Sequence, residues 1–262
     1  MAENLDNKGL KSIAYEFELF FIDIWGVLHN GIELSVNAVD TLNKLEENKK
    51  EYILLTNAPR PNLDVIKFLK KLGLDDNKCK QVYTSGEAAL NHLNTEWNNT
   101  KFFHIGPPRD FNLFNQYKKN KVDDIENAEL LLCTGLFDDH EEDLEFYKIL
   151  LKKKVDKKMI CTNPDLIVDR GQKREFCAGS VAKVFLDLGG KVDYFGKPYP
   201  LVYQKSVDIK NKKILCIGDN LNTDIKGANL QNFRSLLIYN GIHRNEINNN
   251  FNKLFERYNV KV

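Results

Sequence analysis

Residues 20–31 read Phe20-Phe21-Ile22-Asp23-Ile24-Trp25-Gly26-Val27-Leu28-His29-Asn30-Gly31, an apolar run followed by one carboxylate and a polar turn. The aromatic and branched residues 19–22 are typical of a strand buried in a parallel sheet. Asp23 would then follow the carboxyl end of that strand, where such sheets bind their ligands. An ionised carboxylate is rarely buried alone, so Asp23 is either a structural acid with a partner, or a nucleophile or metal ligand.

Apolar strands and amphipathic helices alternate along the rest of the chain, which predicts an α/β fold with a doubly wound, Rossmann-like parallel sheet. Ser35 is a suitable N-cap for the next helix, and Gly73 should end the helix predicted over residues 62–72. The second strand is predicted over residues 52–55. Further strands are expected at residues 82–84, 101–105, 129–133, 158–161, 192–195, 214–217 and 235–238.

Polar residues follow four of these predicted strands: Asp23, Thr56 with Asn57, Lys197, and Asp219 with Asp224. Each alone has an ordinary explanation, such as a turn, a loop or a helix N-cap. In a doubly wound sheet, however, these strand ends meet at one crevice. Two carboxylates, a lysine and a hydroxyl or amide turn are the groups that Mg²⁺-assisted phosphoryl transfer requires.

Composition restricts the possible functions. The 262 residues are 42% hydrophobic with a net charge of +1, which allows one large or two modest domains and argues against nucleic acid as a partner. The five cysteines lack Cys-x-x-Cys spacing, so we expect reduced core thiols and a cytoplasmic protein. No leader-like or membrane-length apolar run is visible, so we expect no membrane partner.

Together the motifs resemble the haloacid dehalogenase superfamily, and within it class IIA, which contains NagD-like and p-nitrophenyl-phosphatase-like proteins. The matching segments are Asp23 to Leu28, Leu55-Thr56-Asn57, Gly196-Lys197-Pro198 and Gly218 to Asp224. The resemblance implies a discontinuous catalytic core over residues 1–85 and 186–262. It also implies an inserted α/β cap domain of the C2 type over residues 86–185.

The resemblance further implies roles for these residues. Asp23 would accept the phosphoryl group as an aspartyl-phosphate, while Thr56 and the backbone of Asn57 and Ala58 would hold phosphate oxygens. Lys197 would pair with both Asp23 and the phosphoryl group.

A Mg²⁺ site is implied as well. Asp23, Asp219 and the main-chain carbonyl of Trp25 would bind the ion, and Asn220 and Asp224 would support it from outside.

Trp25 departs from the family pattern, because the phosphatases usually have a second aspartate there that acts as general acid and base. An indole cannot do this, although its main-chain carbonyl can still bind metal. Loss of a general acid typically lowers the rate by roughly 10² to 10⁴. His29 is a candidate replacement because imidazole has a suitable pKa, but a turn or surface histidine is the alternative.

Substrate selection would lie mainly in the cap. There the positions His104, Gly106, Arg109 and Asp165 lie at apparent strand ends and could face the core site, and a surface position is the alternative for Arg109. We expect a phosphatase of a small phosphorylated metabolite with an activated leaving group. The alternative is a weak or inactive homologue that binds a phosphorylated ligand or a protein partner. A true dehalogenase fits less well because Asp219 indicates a metal, and a homodimer through the cap is conceivable.

Overall fold

The computed structural model describes residues 3–170, 173–246 and 250–262. The chain divides into two compact units. The first contains residues 1–56, 66–83 and 197–262, and the second contains residues 57–65 and 84–196. The boundary expected at residue 185/186 is therefore wrong, because the chain leaves the second unit only after Gly196.

Twelve strands are assigned within the described ranges. In chain order, β1 to β12 are Leu19–Ile22, Glu51–Thr56, Val82–Thr84, Phe102–Ile105, Lys121–Val122, Leu130–Cys133, Lys158–Cys161, Ile167–Arg170, Lys173–Phe176, Lys191–Tyr194, Ile214–Gly218 and Arg234–Leu237.

Nine α-helices are assigned in the same ranges. In chain order, α1 to α9 are Val36–Glu47, Asn62–Lys71, Asp76–Cys79, Ser85–Glu96, Leu144–Leu151, Ala178–Asp187, Pro200–Ser206, Lys226–Leu230 and Phe251–Tyr258. Residues 108–120 form 3-10 turns with a kink at Phe114, and Leu221–Ile225 forms a π-turn.

The first unit is built on a five-stranded sheet with the order β12-β11-β1-β2-β3. Strand β1 lies at its centre, parallel to β11 and to β2, and all four of its residues are buried. The doubly wound α/β prediction is confirmed, because neighbouring strands are joined by crossovers rather than hairpins. The carboxyl ends of β1, β2 and β11 therefore lie side by side at one edge of the sheet.

The second unit has its own five-stranded sheet, with the order β10-β7-β6-β4-β5. Strand β10 pairs in parallel with β7, which explains the boundary correction, because residues 191–194 belong to this sheet and not to that of the first unit. Its core packs α5 and α6 against the sheet through residues such as Tyr147 and Phe185. A separate antiparallel pair, β8 with β9, was not predicted.

Local signals explain several element ends. The Ser35 side chain accepts a hydrogen bond from the Ala38 N–H at the start of α1, as its N-cap role requires. Gly73, which follows α2, has a φ of +98°, a left-handed conformation that favours glycine.

The structure bears on two expectations from the composition, one about the cysteines and one about membrane-spanning segments. All five cysteines are free and buried, so the prediction that they lie in the core is confirmed. Among the helices of the described ranges, none is long and apolar enough to cross a membrane.

Candidate active site

Lys197 is the centre of a buried polar cluster in the first unit and is only 4% exposed. Its Nζ donates hydrogen bonds to Asp23 Oδ1 at 2.5 Å, to Asp224 Oδ1 at 2.6 Å and to the Leu55 carbonyl at 3.0 Å. Asp23 directly follows β1, Asp224 lies in the π-turn after β11, and Leu55 lies in β2. One ammonium thus joins three neighbouring strand ends, as the sequence predicted for Asp23 and Lys197.

The turn after β11 places Asp224 against this lysine and Asp219 near the other two carboxylates. The Asp224 Oδ2 accepts a hydrogen bond from the Asn220 N–H at 3.1 Å, and Asp224 packs so closely over Gly218 that a Cβ there would collide with it. Asn220 caps the turn by accepting from the Asn222 N–H. Asp224 therefore contacts Lys197 directly, whereas Asn220 supports the turn.

Three carboxylates could hold one metal ion. Asp23, Asp219 and Asp224 are all buried, and each offers an oxygen within 4.8 Å of the others. Three ionised carboxylates around one ammonium leave an excess of negative charge that burial makes costly. A hard divalent cation such as Mg²⁺ prefers oxygen ligands and would remove that excess, so the donor set fits the ion.

Electrostatics in the cluster follow from its burial. Burial raises the pKa of Asp23 well above its usual value, the Asp224 charge adds to this, and Lys197 opposes it. For Lys197, burial disfavours the ammonium, but the carboxylates of Asp224 and Asp23 outweigh burial and raise the pKa above its usual value. Lys197 is therefore a permanent cation at neutral pH.

His29 does not have the properties of a general acid. Its ring is buried, its Nδ1 accepts a hydrogen bond from the Gly31 N–H at 2.9 Å, and burial lowers its pKa to about 4. At neutral pH the ring is thus uncharged, with its proton on Nε2, and cannot deliver a proton to a leaving group. A neutral, buried ring does not fit the acid role considered for His29. Its position directly after the turn of residues 26–28 agrees with the alternative of a turn histidine, although the ring does not lie on the surface.

The rings around His29 show what it does instead. Trp25 lies edge-on to His29 with ring centroids 4.9 Å apart, and Phe68 of α2 lies edge-on at 5.3 Å. The Trp25 indole is half-buried. His29 therefore supports the position of Trp25 in the turn that follows the nucleophile candidate.

The remaining phosphate-binding candidates lie at the carboxyl end of β2 and directly after it. Thr56, the last residue of β2, is buried and adjoins Leu55, whose carbonyl binds Lys197. Asn57 belongs to the second unit and donates through Nδ2 to Asp165 Oδ1 at 3.2 Å, so the structure brings these two sequence candidates together. The Ala58 carbonyl accepts from the Gly86 N–H at 3.1 Å.

The other cap candidates have local partners. Arg109 forms an exposed ion pair with Asp138, which agrees with its alternative as a surface residue. His104 is buried against the Thr134 hydroxyl at 2.8 Å, and burial lowers its pKa to about 4.

Sequence reasoning missed the residues that hold Asp219. The Ile242 N–H donates to Asp219 Oδ2 at 2.8 Å, and the backbone of Gly26 and of Gly241 lies so close that a Cβ would collide with the carboxylate. The available signal was the strand predicted over residues 235–238, because the residues after it must reach the same sheet edge.

Comparisons with known proteins agree with this geometry. A family profile for haloacid dehalogenase-like hydrolases matches residues 20–118, and a related haloacid dehalogenase hydrolase-like profile matches residues 194–254. These two segments contain Asp23, Thr56, Lys197, Asp219 and Asp224.

Solved structures and a curated protein extend the likeness to most of the chain. A haloacid dehalogenase-like hydrolase from Brucella suis is 31% identical, with a TM-score of 0.81 over 93% of this chain and 94% of that one. A 4-nitrophenylphosphatase from Thermotoga maritima is 26% identical, with a TM-score of 0.70 over 92% and 90%. An acid sugar phosphatase from Staphylococcus epidermidis is 24% identical over 80% of this chain and 81% of its own length.

The motifs at the strand ends, the lysine-centred carboxylate cluster and the 31% identity along nearly the whole length lead to one conclusion. This chain belongs to the haloacid dehalogenase-like hydrolases, in the class IIA group of NagD-like and nitrophenylphosphatase-like proteins.

Proposed function

We propose that this chain is a Mg²⁺-dependent phosphatase that acts on a small phosphorylated metabolite through an aspartyl-phosphate on Asp23. The observation that carries the proposal is the bond from buried Lys197 to Asp23 Oδ1, with Asp219 and Asp224 close enough to share one cation. This arrangement orients a carboxylate and places an ammonium beside it, where a phosphoryl group would develop negative charge.

In the first step an Asp23 carboxylate oxygen attacks phosphorus. The bond from phosphorus to the leaving oxygen breaks, that oxygen takes the electron pair, and an acyl phosphate forms on Asp23. In the second step water attacks phosphorus and the bond to the Asp23 oxygen breaks, returning its electron pair to the Asp23 carboxylate. Both protons of the water leave on the phosphate as dihydrogen phosphate. Lys197 stays protonated and stabilises the phosphoryl oxygens in both steps.

The metal would be held by Asp23, Asp219 and the Trp25 main-chain carbonyl, with Asp224 and Asn220 supporting the site. When bound, Mg²⁺ supplies charge neutralisation for the phosphoryl oxygens and for the buried carboxylates. Thr56 and the backbone of residues 57 and 58 would complete phosphate binding.

The side chains of Trp25 and His29 restrict which leaving groups the proposed reaction can release. Neither the indole nor the neutral His29 ring can protonate a leaving oxygen. The leaving group must therefore be stable as an unprotonated anion. Aryl, enol and acyl phosphates meet this requirement, whereas alkyl phosphates such as sugar phosphates do not. The proposed substrate class is therefore a small phosphorylated metabolite with an activated leaving group.

The direct test is steady-state hydrolysis of p-nitrophenyl phosphate with Mg²⁺. The unmodified protein is compared with Asp23→Asn and with protein treated with a chelator, and the folded state of each is checked by circular dichroism. Activity that is lost in both controls supports aspartate-nucleophile, metal-dependent chemistry. Equal rates for the unmodified protein and Asp23→Asn would contradict it.

A second candidate function is favoured specifically by Trp25. A homologue without a general acid could bind a phosphorylated ligand or a protein partner through the same residues and turn over weakly or not at all. The same assay separates the two functions. A folded protein that binds Mg²⁺ and inorganic phosphate but hydrolyses neither p-nitrophenyl phosphate nor acetyl phosphate would support the binding function.

A further inference from the structure

The segment that follows β12 binds and packs against the carboxylate of Asp219. The Ile242 N–H donates to Asp219 Oδ2 at 2.8 Å, and Gly241 lacks the side chain that would collide with this carboxylate. The position of Asp219 therefore depends on what holds residues 241–243.

His243 holds that segment to the turn that contains Asp219. Its ring is buried, and Nε2 accepts a hydrogen bond from the Leu221 N–H at 3.1 Å. Because Nε2 accepts, the ring proton lies on Nδ1, which donates to Glu246 Oε1 at 2.7 Å. Two adjacent residues thus bind the turn after β11 at two points: Ile242 binds Asp219, and His243 binds Leu221.

Residues of helix α9 hold Glu246 and contact the His243 imidazole. Tyr258 donates its hydroxyl to both Glu246 oxygens, at 3.2 and 3.0 Å, and Arg257 forms an ion pair with the same carboxylate. The Tyr258 ring also lies edge-on to His243, with centroids 4.8 Å apart. The orientation of His243 is therefore set by groups on α9 as well as by Glu246.

The same helix packs on the turn itself. Leu254 and Phe255 of α9 share a buried cluster with Leu221 and Ile225 of the π-turn. The C-terminal helix thus reaches the Asp219 turn both through apolar packing and through a chain of hydrogen bonds.

We propose that His243, oriented by Glu246 and α9, is a positioning residue for the metal ligand Asp219. This inference rests on the proposed metal role of Asp219 and extends it to His243, which lies 24 positions further along the chain (243 − 219). The Leu221 N–H is buried and requires an acceptor, so loss of the imidazole lets the turn rearrange. Partners that orient a metal ligand typically change metal affinity by roughly 10- to 100-fold when they are removed.

The test is calorimetric titration of the complete protein with Mg²⁺ alone, without substrate. His243→Ala removes the acceptor, whereas His243→Gln can present its Oε1 to the Leu221 N–H. We expect His243→Ala to weaken Mg²⁺ binding by about 10- to 100-fold and His243→Gln to recover most of the loss.

Asn229→Ala is the matched control. Asn229 makes two hydrogen bonds to the Lys261 backbone, at 2.8 and 2.6 Å, and neither bond involves the turn of residues 219–221. This variant loosens the C-terminus without touching His243, so its Mg²⁺ affinity should stay at the unmodified value.

If His243→Ala does not fold, Glu246→Ala decides, because the Glu246 side chain is 31% exposed and the variant keeps the imidazole while removing a group that orients it. Its Mg²⁺ affinity should fall by about tenfold. An unchanged affinity in a folded His243→Ala or Glu246→Ala protein, or an equal loss in Asn229→Ala, overturns the positioning role alone. Absence of Mg²⁺ binding by the unmodified protein, or equal binding by Asp219→Asn, overturns the metal site and the positioning role together.

Discussion

Replacing Trp25 by aspartate should give this protein activity on alkyl phosphates. Residue 25 lies two positions after Asp23, and the next residue, Gly26, lies against the Asp219 carboxylate. The Gly26 N–H also donates to the His29 carbonyl at 2.8 Å, which fixes the turn. A carboxyl group introduced at position 25 therefore starts from an anchored backbone beside the proposed reaction centre.

The magnitude follows from the missing proton transfer. A positioned general acid contributes roughly 10² to 10⁴ in rate, which is about 3 to 5 kcal/mol of barrier at about 1.4 kcal/mol per tenfold. Loss of the indole removes its ring contact with His29 and lowers stability, and Trp25→Asn carries the same loss without supplying an acid. The ratio of Trp25→Asp to Trp25→Asn thus isolates the proton transfer.

The assay compares kcat/KM on glycerol phosphate and on p-nitrophenyl phosphate for both variants, each first shown to be folded. The ratio should be about 10² or more on the alkyl phosphate and near one on the aryl phosphate, whose leaving group needs no proton. A ratio near one on both substrates would refute the reasoning, because position 25 would then not control protonation of the leaving group.

Three further predictions follow from the same structure. Lys197→Met leaves Asp23 and Asp224 buried without their cation, so the free energy of unfolding in urea should fall by about 3 to 5 kcal/mol, and adding Asp224→Asn should restore part of it. Mg²⁺ at 100 times its Kd should raise the free energy of unfolding by about 2.7 kcal/mol, and Asp219→Asn should lose this gain in thermal melts. His104 has a folded pKa of about 4 against 6.5 for the free side chain, so its contribution is present above pH 6.5 and is lost as pH falls towards 4. Urea titrations at several pH values should show the unmodified protein losing about 3 kcal/mol more than His104→Gln across that window, and parallel curves would contradict this.

The strand-end argument predicted much of the site, because it depends only on local patterns. Apolar runs located β1, β2 and β11, and the parallel sheet then required Asp23, Thr56 and Asp219 to share one edge. The direct bond between Asp224 and Lys197 was not predicted, since Asp224 was expected outside the metal site. A π-turn, which the sequence did not indicate, turns Asp224 back over Gly218.

Other properties arise from tertiary packing and could not be predicted from local patterns. Strand β10, Lys191–Tyr194, mixes charged and apolar residues shortly before Gly196-Lys197, and its sequence does not say which sheet it joins. Only its pairing with β7 assigns it to the second unit. His29 follows a turn in sequence, yet the Trp25 and Phe68 rings pack against it and burial lowers its pKa. His243 showed no signal because its role depends on Glu246 and on a helix after it.

The central claim is that Asp23 forms a covalent aspartyl-phosphate although position 25 holds tryptophan. Protein mixed with Mg²⁺ and p-nitrophenyl phosphate can be quenched within one turnover, reduced with borohydride and mapped by peptide mass spectrometry. We expect Asp23 to be converted to homoserine, which reports an acyl phosphate, and we expect chelation or Lys197→Met to prevent this conversion. Rapid release of p-nitrophenol with Asp23 unmodified, or modification of another residue, would contradict the account.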